Sequence, residues 1–262
     1  MRTKKHLGQN FLVDTNIIHR IIKNINPQDS QNIVEIGPGR GALTKYLINE
    51  VSCLNVIEID KELIPSLIEI SDNSNKLKIF NESILNFNLN KILTDDIKQI
   101  RLVGNLPYNI SSPILIWSFN YSKIILDKHF MFQKEFAERL VATPGNKSYG
   151  RLSIISQYLC DIALLFYVGA ECFRPIPEVD SAVIRIIPKK GRSYNSLISQ
   201  TLQNLTQITF SKRRKMMGKT LKNIISSQEL ENIDISPSQR PEEISVEKFV
   251  MLAQIINLKK NG

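Results

Sequence analysis

Cysteine is scarce in this chain. Cys53, Cys160 and Cys172 are widely spaced and form no Cys-x-x-Cys. That pattern offers neither a zinc site nor a disulfide framework, and it suits a reducing compartment. Histidine is equally sparse. His6, His19 and His129 stand far apart, so no pair has metal-ligand spacing and each is read as structural. No apolar run approaches the roughly 20 residues of a membrane span. The N-terminus is basic but lacks the apolar segment of a signal peptide. A cytoplasmic protein with no metal and no membrane partner is expected. No Ser-His-Asp, Cys-His or paired-carboxylate grouping is visible either, so nothing signals nucleophilic or general acid–base catalysis.

Acidic residues are outnumbered. Against 34 Lys and Arg there are 25 Asp and Glu, for a net charge of +9. The excess is clustered. Lys212, Arg213, Arg214, Lys215, Lys219 and Lys222 fall within eleven residues with no acid among them, and Arg2, Lys4, Lys5 and His6 add to it. Clustered cations point to a polyanionic partner. The group Lys212–Lys215 is read as preceding a helix whose apolar positions are Met216, Leu221, Ile224 and Ile225. Cations at a helix N-terminus oppose the macrodipole, so a functional reason is expected for them there.

The 262 residues, 42% hydrophobic, suit one large domain or a main domain with a small companion. Periodicity predicts a helix over 14–25, capped by Asp14, with Ile17, Ile18, Ile21, Ile22 and Ile25 at helical spacing. Strands and helices then alternate. Strands are expected at 33–36, 54–59, 77–80, 102–103 and 130–132, and helices at 42–48, 62–70, 134–141 and 152–159. Ser112 and Pro113 are expected to open a further helix, with Ser112 as its cap. Alternation implies an α/β fold with a mostly parallel sheet covered on both faces. Strands at 162–168 and 182–187 suggest an antiparallel edge. Pro188 to Arg192 reads as a linker. The expected division is a catalytic domain over 1–190 and a small all-α domain over 193–262.

Two stretches carry chemistry. Glu35-Ile36-Gly37-Pro38-Gly39-Arg40-Gly41 follows the first strand of the alternating series and opens a helix. Such glycines let a ligand approach the backbone. Glu58 ends the next strand, where an acid can accept both hydroxyls of a ribose. Glu82-Ser83 follows the third and could reach an adenine amine. At this level a nicotinamide cofactor and S-adenosylmethionine remain alternatives. The second stretch is Asn105-Leu106-Pro107-Tyr108, after an apolar strand. It combines a side-chain acceptor, a turn stiffened by Pro107 and an aromatic ring where an open sheet binds its ligands. An ordinary strand-to-loop turn is the plainer reading.

Five motifs occur in order: Gly8-Gln9-Asn10-Phe11-Leu12, Glu35 through Thr44, Val56 through Asp60, Asn105 through Pro113, and Phe173 through Ala182. With Gln133-Lys134-Glu135 and Phe210 through Lys215, they cover nearly the whole chain. In this respect the chain resembles the ribosomal RNA adenine dimethyltransferases that modify two adjacent adenines near the 3′ end of small-subunit RNA. The resemblance implies a Rossmann-like methyltransferase sheet with S-adenosylmethionine as cofactor, and the assembling small ribosomal subunit as partner. It implies that Asn10 and Leu12 contact the methionine part of the cofactor and that Gly37 and Gly39 shape the turn beneath it. Glu58, with Ile59 beside it, would bind the ribose, and Glu82 with Ser83 the adenine. Asn105 would border the sulfonium. Glu82 departs from the family, which usually has Asp there.

For the target base, the Asn105 side-chain oxygen and the Leu106 carbonyl are the expected acceptors. Tyr108 would stack on one face and Phe173 on the other. Lys212, Arg213, Arg214 and Lys215 would hold RNA phosphates. Two other readings remain: a large-subunit adenine methyltransferase of the macrolide-resistance type, and an RNA-binding assembly factor whose methyl transfer is secondary.

Overall fold

The computed structural model describes residues 9–71, 75–95 and 97–261. Gly8 and the basic residues Arg2, Lys4, Lys5 and His6 lie outside them. The strands are β1 (Phe11–Leu12), β2 (Asn32–Ile36), β3 (Cys53–Ile57), β4 (Leu77–Phe80), β5 (Ile100–Asn105), β6 (Ile125–Gln133), β7 (Cys160–Val168), β8 (Phe173–Arg174) and β9 (Ser181–Pro188). The helices are α1 (Thr15–Ile25), α2 (Thr44–Glu50), α3 (Ile64–Ser71), α4 (Ser111–Phe119), α5 (Lys134–Val141) and α6 (Arg151–Leu159), then α7 (Leu197–Ser211), α8 (Met217–Leu221), α9 (Ser227–Glu231) and α10 (Val246–Asn261).

Seven strands form one sheet in the order β4-β3-β2-β5-β6-β9-β7. The first five run parallel, and β9 joins β6 antiparallel. Both faces of a parallel strand are covered, which is why β2 is buried at every residue. From β2 the chain winds one way to β3 and β4, then returns to β5 on the other side of β2 and continues to β6. The order therefore reverses between β2 and β5, and such a switch point opens a crevice at the carboxyl ends of the two strands. The two chemistry-bearing stretches of the sequence begin at those ends.

Helix α1 forms as its pattern predicts. Asp14 Oδ1 accepts from the N–H groups of Asn16 (2.8 Å) and Ile17 (3.1 Å). Ile18, Ile21 and Ile25 are buried, each contributing about 1.5–3 kcal/mol. Asn26, at φ 46°, ends the helix in the left-handed conformation. Ahead of α1, β1 pairs antiparallel with β8, joining Phe11 to Arg174 and Leu12 to Phe173. No sequence pattern predicted this two-residue ribbon. Ser112 is not a cap. The turn Tyr108–Ile110 runs straight into α4, which starts at Ser111 without a side-chain cap.

The chain divides into two compact units. One runs to Ala137 and includes Ala163–Pro188; the other takes Glu138–Ile162 and everything from Lys189 onward. The expected boundary near 190 therefore leaves 138–162 on the wrong side. Helix α6 follows α5 like another crossover helix, but its buried side chains Ile154, Ile155 and Tyr158 need apolar cover. They find it against α7 and α10.

Within the helical unit Met217, not Met216, takes the buried position with Leu221 and Ile225; Met216 is 42% exposed. The helix starts one residue later than its apolar pattern suggested. Lys212–Lys215 accordingly lie after the 15-residue helix α7, with Lys212 as its C-cap. At that end cations favour the macrodipole, but the cluster also precedes, as expected, the five-residue α8, whose N-cap is Met216, so the two helix ends act on it in opposite directions.

Candidate active site

A cavity of about 520 Å³ occupies the switch point. Its floor is the turn after β2. Gly37 (φ +63°) and Gly39 (φ +59°) adopt left-handed backbone that side chains disfavour. A Cβ on Gly39 would lie 3.0 Å from the Phe11 ring, whereas one on Gly37 would meet nothing within 4 Å. The turn thus presents bare backbone to open space, which fits a ligand lying across it.

Glu58, just past β3, forms one wall. It is 5% exposed. Its two oxygens accept from the backbone N–H groups of Gly39 (3.1 Å) and Asp60 (2.8 Å). Burial raises the carboxyl's pKa, and those two bonds oppose the rise. Each oxygen keeps a lone pair for a further donor. Asn81 Nδ2 donates to the Glu58 carbonyl (2.7 Å), fixing the neighbouring turn that carries Glu82 and Ser83. Glu82 is ion-paired with Lys91 at 3.5 Å. Glu35 lines the cavity beneath the glycines. Burial pushes its carboxyl up to about 7, opposed by the Thr44 hydroxyl at 2.7 Å and assisted by the charge of Glu58.

The opposite wall is the end of β5. Gly104 lets this strand pass β2 closely; a Cβ there would sit 2.7 Å from the Ile36 carbonyl oxygen. Asn105 follows, half-buried, and its Nδ2 donates to the Asn10 carbonyl at 3.0 Å. A carbonyl can only accept, so the amide nitrogen must face Asn10, and Oδ1 is left as the acceptor at the other end of the group. The Leu106 N–H donates to the Met131 carbonyl at 3.3 Å. The phenol of Tyr108 shares a 2.7 Å hydrogen bond with the hydroxyl of Ser181, the buried first residue of β9. Burial raises the Tyr108 pKa, so the ring stays neutral.

The N-terminal segment bridges the two walls. Gln9 Nε2 donates to Asp60 Oδ2 at 2.8 Å beside Glu58, while Asn10 holds Asn105. Asn10, Leu12, Gly37, Gly39, Glu58, Ile59, Glu82, Ser83, Asn105, Leu106, Pro107 and Tyr108 all line this one cavity. Gln9, Glu35, Arg40 and Arg174 line it too. Gln9 and Glu35 stand inside quoted motifs, and so do their partners Asp60 and Thr44, but nothing in the spacing indicated that these side chains pair.

Phe173 is a correction. It is 0% exposed and belongs to the hydrophobic core with Leu12 and Cys172. A ring without exposed surface offers no face to a base. Its pairing with Leu12 in the β1–β8 ribbon turns it inward, and its neighbour Arg174 reaches the cavity instead. Lys212–Lys215 belong to the helical unit. There Arg213 is engaged, pairing with Glu242 and donating to the Lys147 carbonyl at 2.9 Å. Lys212, Arg214 and Lys215 are exposed.

Known proteins resemble this chain over nearly its whole length. The chain is 45% identical to the Ribosomal RNA small subunit methyltransferase A of Buchnera aphidicola subsp. Acyrthosiphon pisum, over 99% of this chain and 96% of that one. It is 41% identical to the protein of that name from Saccharophagus degradans, over 97% and 95%. Among solved structures, a dimethyladenosine transferase from Plasmodium falciparum superposes with a TM-score of 0.81 at 25% identity, covering 95% of this chain and 98% of that one. The 23S rRNA methyltransferase ErmE, 22% identical, shares the fold with a TM-score of 0.75, covering 95% and 100%. The family profile described as Ribosomal RNA adenine dimethylase matches residues 1–258, and with that match the chain belongs to the ribosomal RNA adenine dimethylase family.

Proposed function

We propose that this protein transfers methyl groups from S-adenosylmethionine to N6 of two adjacent adenines near the 3′ end of small-subunit ribosomal RNA. The observation that carries this reading is the Asn105 amide, oriented by Asn10 so that an acceptor remains at a switch-point cavity. The cavity fits the cofactor. Glu58 has acceptor capacity for ribose hydroxyls, Glu82 and Ser83 stand where an adenine amine would lie, and the Gly37 turn leaves room for the amino-acid part. When bound, the cofactor supplies an electrophilic methyl group on a sulfonium.

The chain's own residues act on the target base. The N6 lone pair of adenine is delocalised into the ring and is a poor nucleophile. Acceptance of its hydrogens by Asn105 Oδ1 and the Leu106 carbonyl favours the pyramidal, nucleophilic form. Tyr108 supplies a stacking face, worth roughly 1–3 kcal/mol, and Ser181 holds its phenol in place. Alkylated N6 is strongly acidic, so no general base is needed. Catalysis then rests on positioning and fixed polar groups. A second methylation uses one acceptor on the remaining N–H.

The partner in this reading is the assembling small subunit, and the work is done in the cytoplasm. No described helix is long and apolar enough to cross a membrane. The test is incubation of undermodified small subunits with labelled cofactor, followed by mapping of the modified nucleotides. Two adjacent dimethylated adenines near the 3′ end are expected. Label confined to large-subunit RNA would overturn the assignment in favour of the macrolide-resistance type of activity. A catalytically dead variant that still supports assembly would make the assembly role primary.

Glu58→Ala is expected to weaken S-adenosylhomocysteine binding by about 1.5–3 kcal/mol, or roughly 10- to 150-fold, because bonds to a charged acceptor are lost. Calorimetry reads this directly. Unchanged affinity, or saturable NAD binding with no heat from S-adenosylhomocysteine, would refute the cofactor assignment.

In the helical unit, replacing Lys212, Arg214 and Lys215 with Gln should weaken subunit binding at every salt concentration. The log–log salt slope should become shallower by about 0.7–0.9 per lost phosphate contact. Arg213 is left in place because it holds Glu242 and Lys147. An unchanged slope would show that this cluster is not the docking surface.

A further inference from the structure

Arg40 and Arg174, which line the cavity with Lys45, have no role in the cofactor and base contacts described above. Arg40 follows the glycine turn, and its guanidinium lies over the Phe11 ring, 4.7 Å from the centroid. Phe11 in turn packs on Gly39. Arg174 stands directly opposite Phe11 in the β1–β8 ribbon. Residues so paired carry their Cβ atoms about 4.5–5.5 Å apart on one face. Arg40 thus stacks on Phe11, Arg174 is the cross-strand partner of the same residue, and both line the cavity.

Each is held without its charge being neutralised. Arg174 Nη1 donates to the carbonyls of Glu171 (2.9 Å) and Phe173 (2.8 Å), which leaves its Nε–Nη2 edge for another acceptor. That edge is the one that binds a carboxylate or phosphate with two parallel bonds. Among the described residues neither guanidinium has a carboxylate partner. Stacking and backbone bonds hold two cations on the lining of one cavity, without a carboxylate partner among the described residues.

We infer that Arg40 and Arg174 form an oxyanion subsite at the mouth of the cavity, and that it takes a backbone phosphate of the nucleotide presented to Tyr108. This rests on the proposed function. The same chemistry would suit the methionine carboxylate of the cofactor. Exposure favours the phosphate: both arginines are exposed, while Glu58 on the cofactor wall is 5% exposed. Capture of one phosphate here would register the flipped nucleotide, since phosphate contacts position while the pocket reads the base.

The test uses the full chain with Arg40→Gln, Arg174→Gln, the double variant, and the charge-keeping Arg40→Lys/Arg174→Lys pair. Subunit binding is measured at several salt concentrations, and affinity for S-adenosylhomocysteine and for 5′-methylthioadenosine, which lacks the carboxylate, by calorimetry. The proposal expects the Gln double variant to bind subunits about tenfold more weakly, with a salt slope shallower by roughly 0.7 per lost contact. Both small ligands should keep wild-type affinity, and the Lys pair should restore the slope. Loss of S-adenosylhomocysteine affinity alone, with 5′-methylthioadenosine and subunit binding unchanged, assigns the arginines to the carboxylate and overturns the phosphate subsite. Wild-type behaviour in every assay overturns it outright. If wild-type protein binds the cofactor but does not methylate subunits, the functional reading fails, and the salt slopes still decide the subsite.

Discussion

Replacing Asn105 with Ala is expected to slow methyl transfer by about 10²–10³-fold at saturating RNA, the scale measured when one preorganised polar group is removed from a reacting centre. Two things are lost together. The acceptor that faces the target amine disappears, and so does the 3.0 Å bond by which the side chain holds the Asn10 carbonyl. The second loss loosens the N-terminal bridge, so a weaker cofactor affinity should accompany the slower step. Stability should change little, because a single net hydrogen bond contributes about 0.5–1.5 kcal/mol. Single-turnover rates on undermodified small subunits, with calorimetry alongside, separate the two effects. A variant turning over at nearly the wild-type rate would show that Asn105 does not activate the base.

A second large effect lies away from the cavity, where the sheet buries a charged cluster. Asp127 on β6 is 2% exposed and stands opposite Arg101 of β5 in the register. Arg101 Nε and Nη2 donate to its two oxygens at 2.8 and 2.9 Å. The same guanidinium reaches the Ile25 carbonyl (2.7 Å) and Gln31 Oε1 (2.7 Å), fastening the end of α1. Burial is the largest influence and raises the Asp127 carboxyl, but the Arg101 bonds and the neighbouring positive charges together outweigh it and hold the pKa below its ordinary value. His129 on the same strand is pushed down to about 4, chiefly by burial, so at neutral pH it is uncharged.

Asp127→Ala leaves Arg101 buried without its anion and should destabilise this unit by about 3–5 kcal/mol. A carboxyl whose folded pKa lies below the unfolded value stabilises fully above that unfolded value, about 3.9, and loses its effect as pH falls through the folded one. The gap between wild type and variant should therefore close in acid. Trp117 is the only tryptophan and belongs to α4 in this unit, so its fluorescence during urea unfolding reports the change. A variant as stable as wild type at pH 7 would mean that the pair contributes nothing.

That cluster also marks a limit of the sequence. Only 130–132 of β6 is apolar enough to read as a strand, yet the strand begins at Ile125. Asp127-Lys128-His129 looks like a polar interruption. It is buried because Arg101 and Arg185 come from neighbouring strands to meet Asp127, and partners supplied by other strands leave no local periodicity. The helix expected over 152–159 is legible, but the unit it belongs to is not, since its apolar surface does not say which helices will cover it. Phe173 misled for a related reason. The proline-rich run beside it looks like exposed loop, while a two-residue pairing with Leu12 turns the ring into the core.

By itself the sequence determined the alternation of strands and helices, the capped α1, the glycine turn and the Asn105–Tyr108 stretch, because each is written in local spacing and residue type. It determined the family through five motifs in register. Only the tertiary structure decided that those motifs meet. The reversal of strand order between β2 and β5 opens the cavity. The N-terminal segment crosses it through Gln9 and Asn10, and Arg174 rather than Phe173 faces it. Those outcomes depend on strand order and on hydrogen bonds between residues as far apart as Asn10 and Asn105, and local spacing carries no record of such long-range partners.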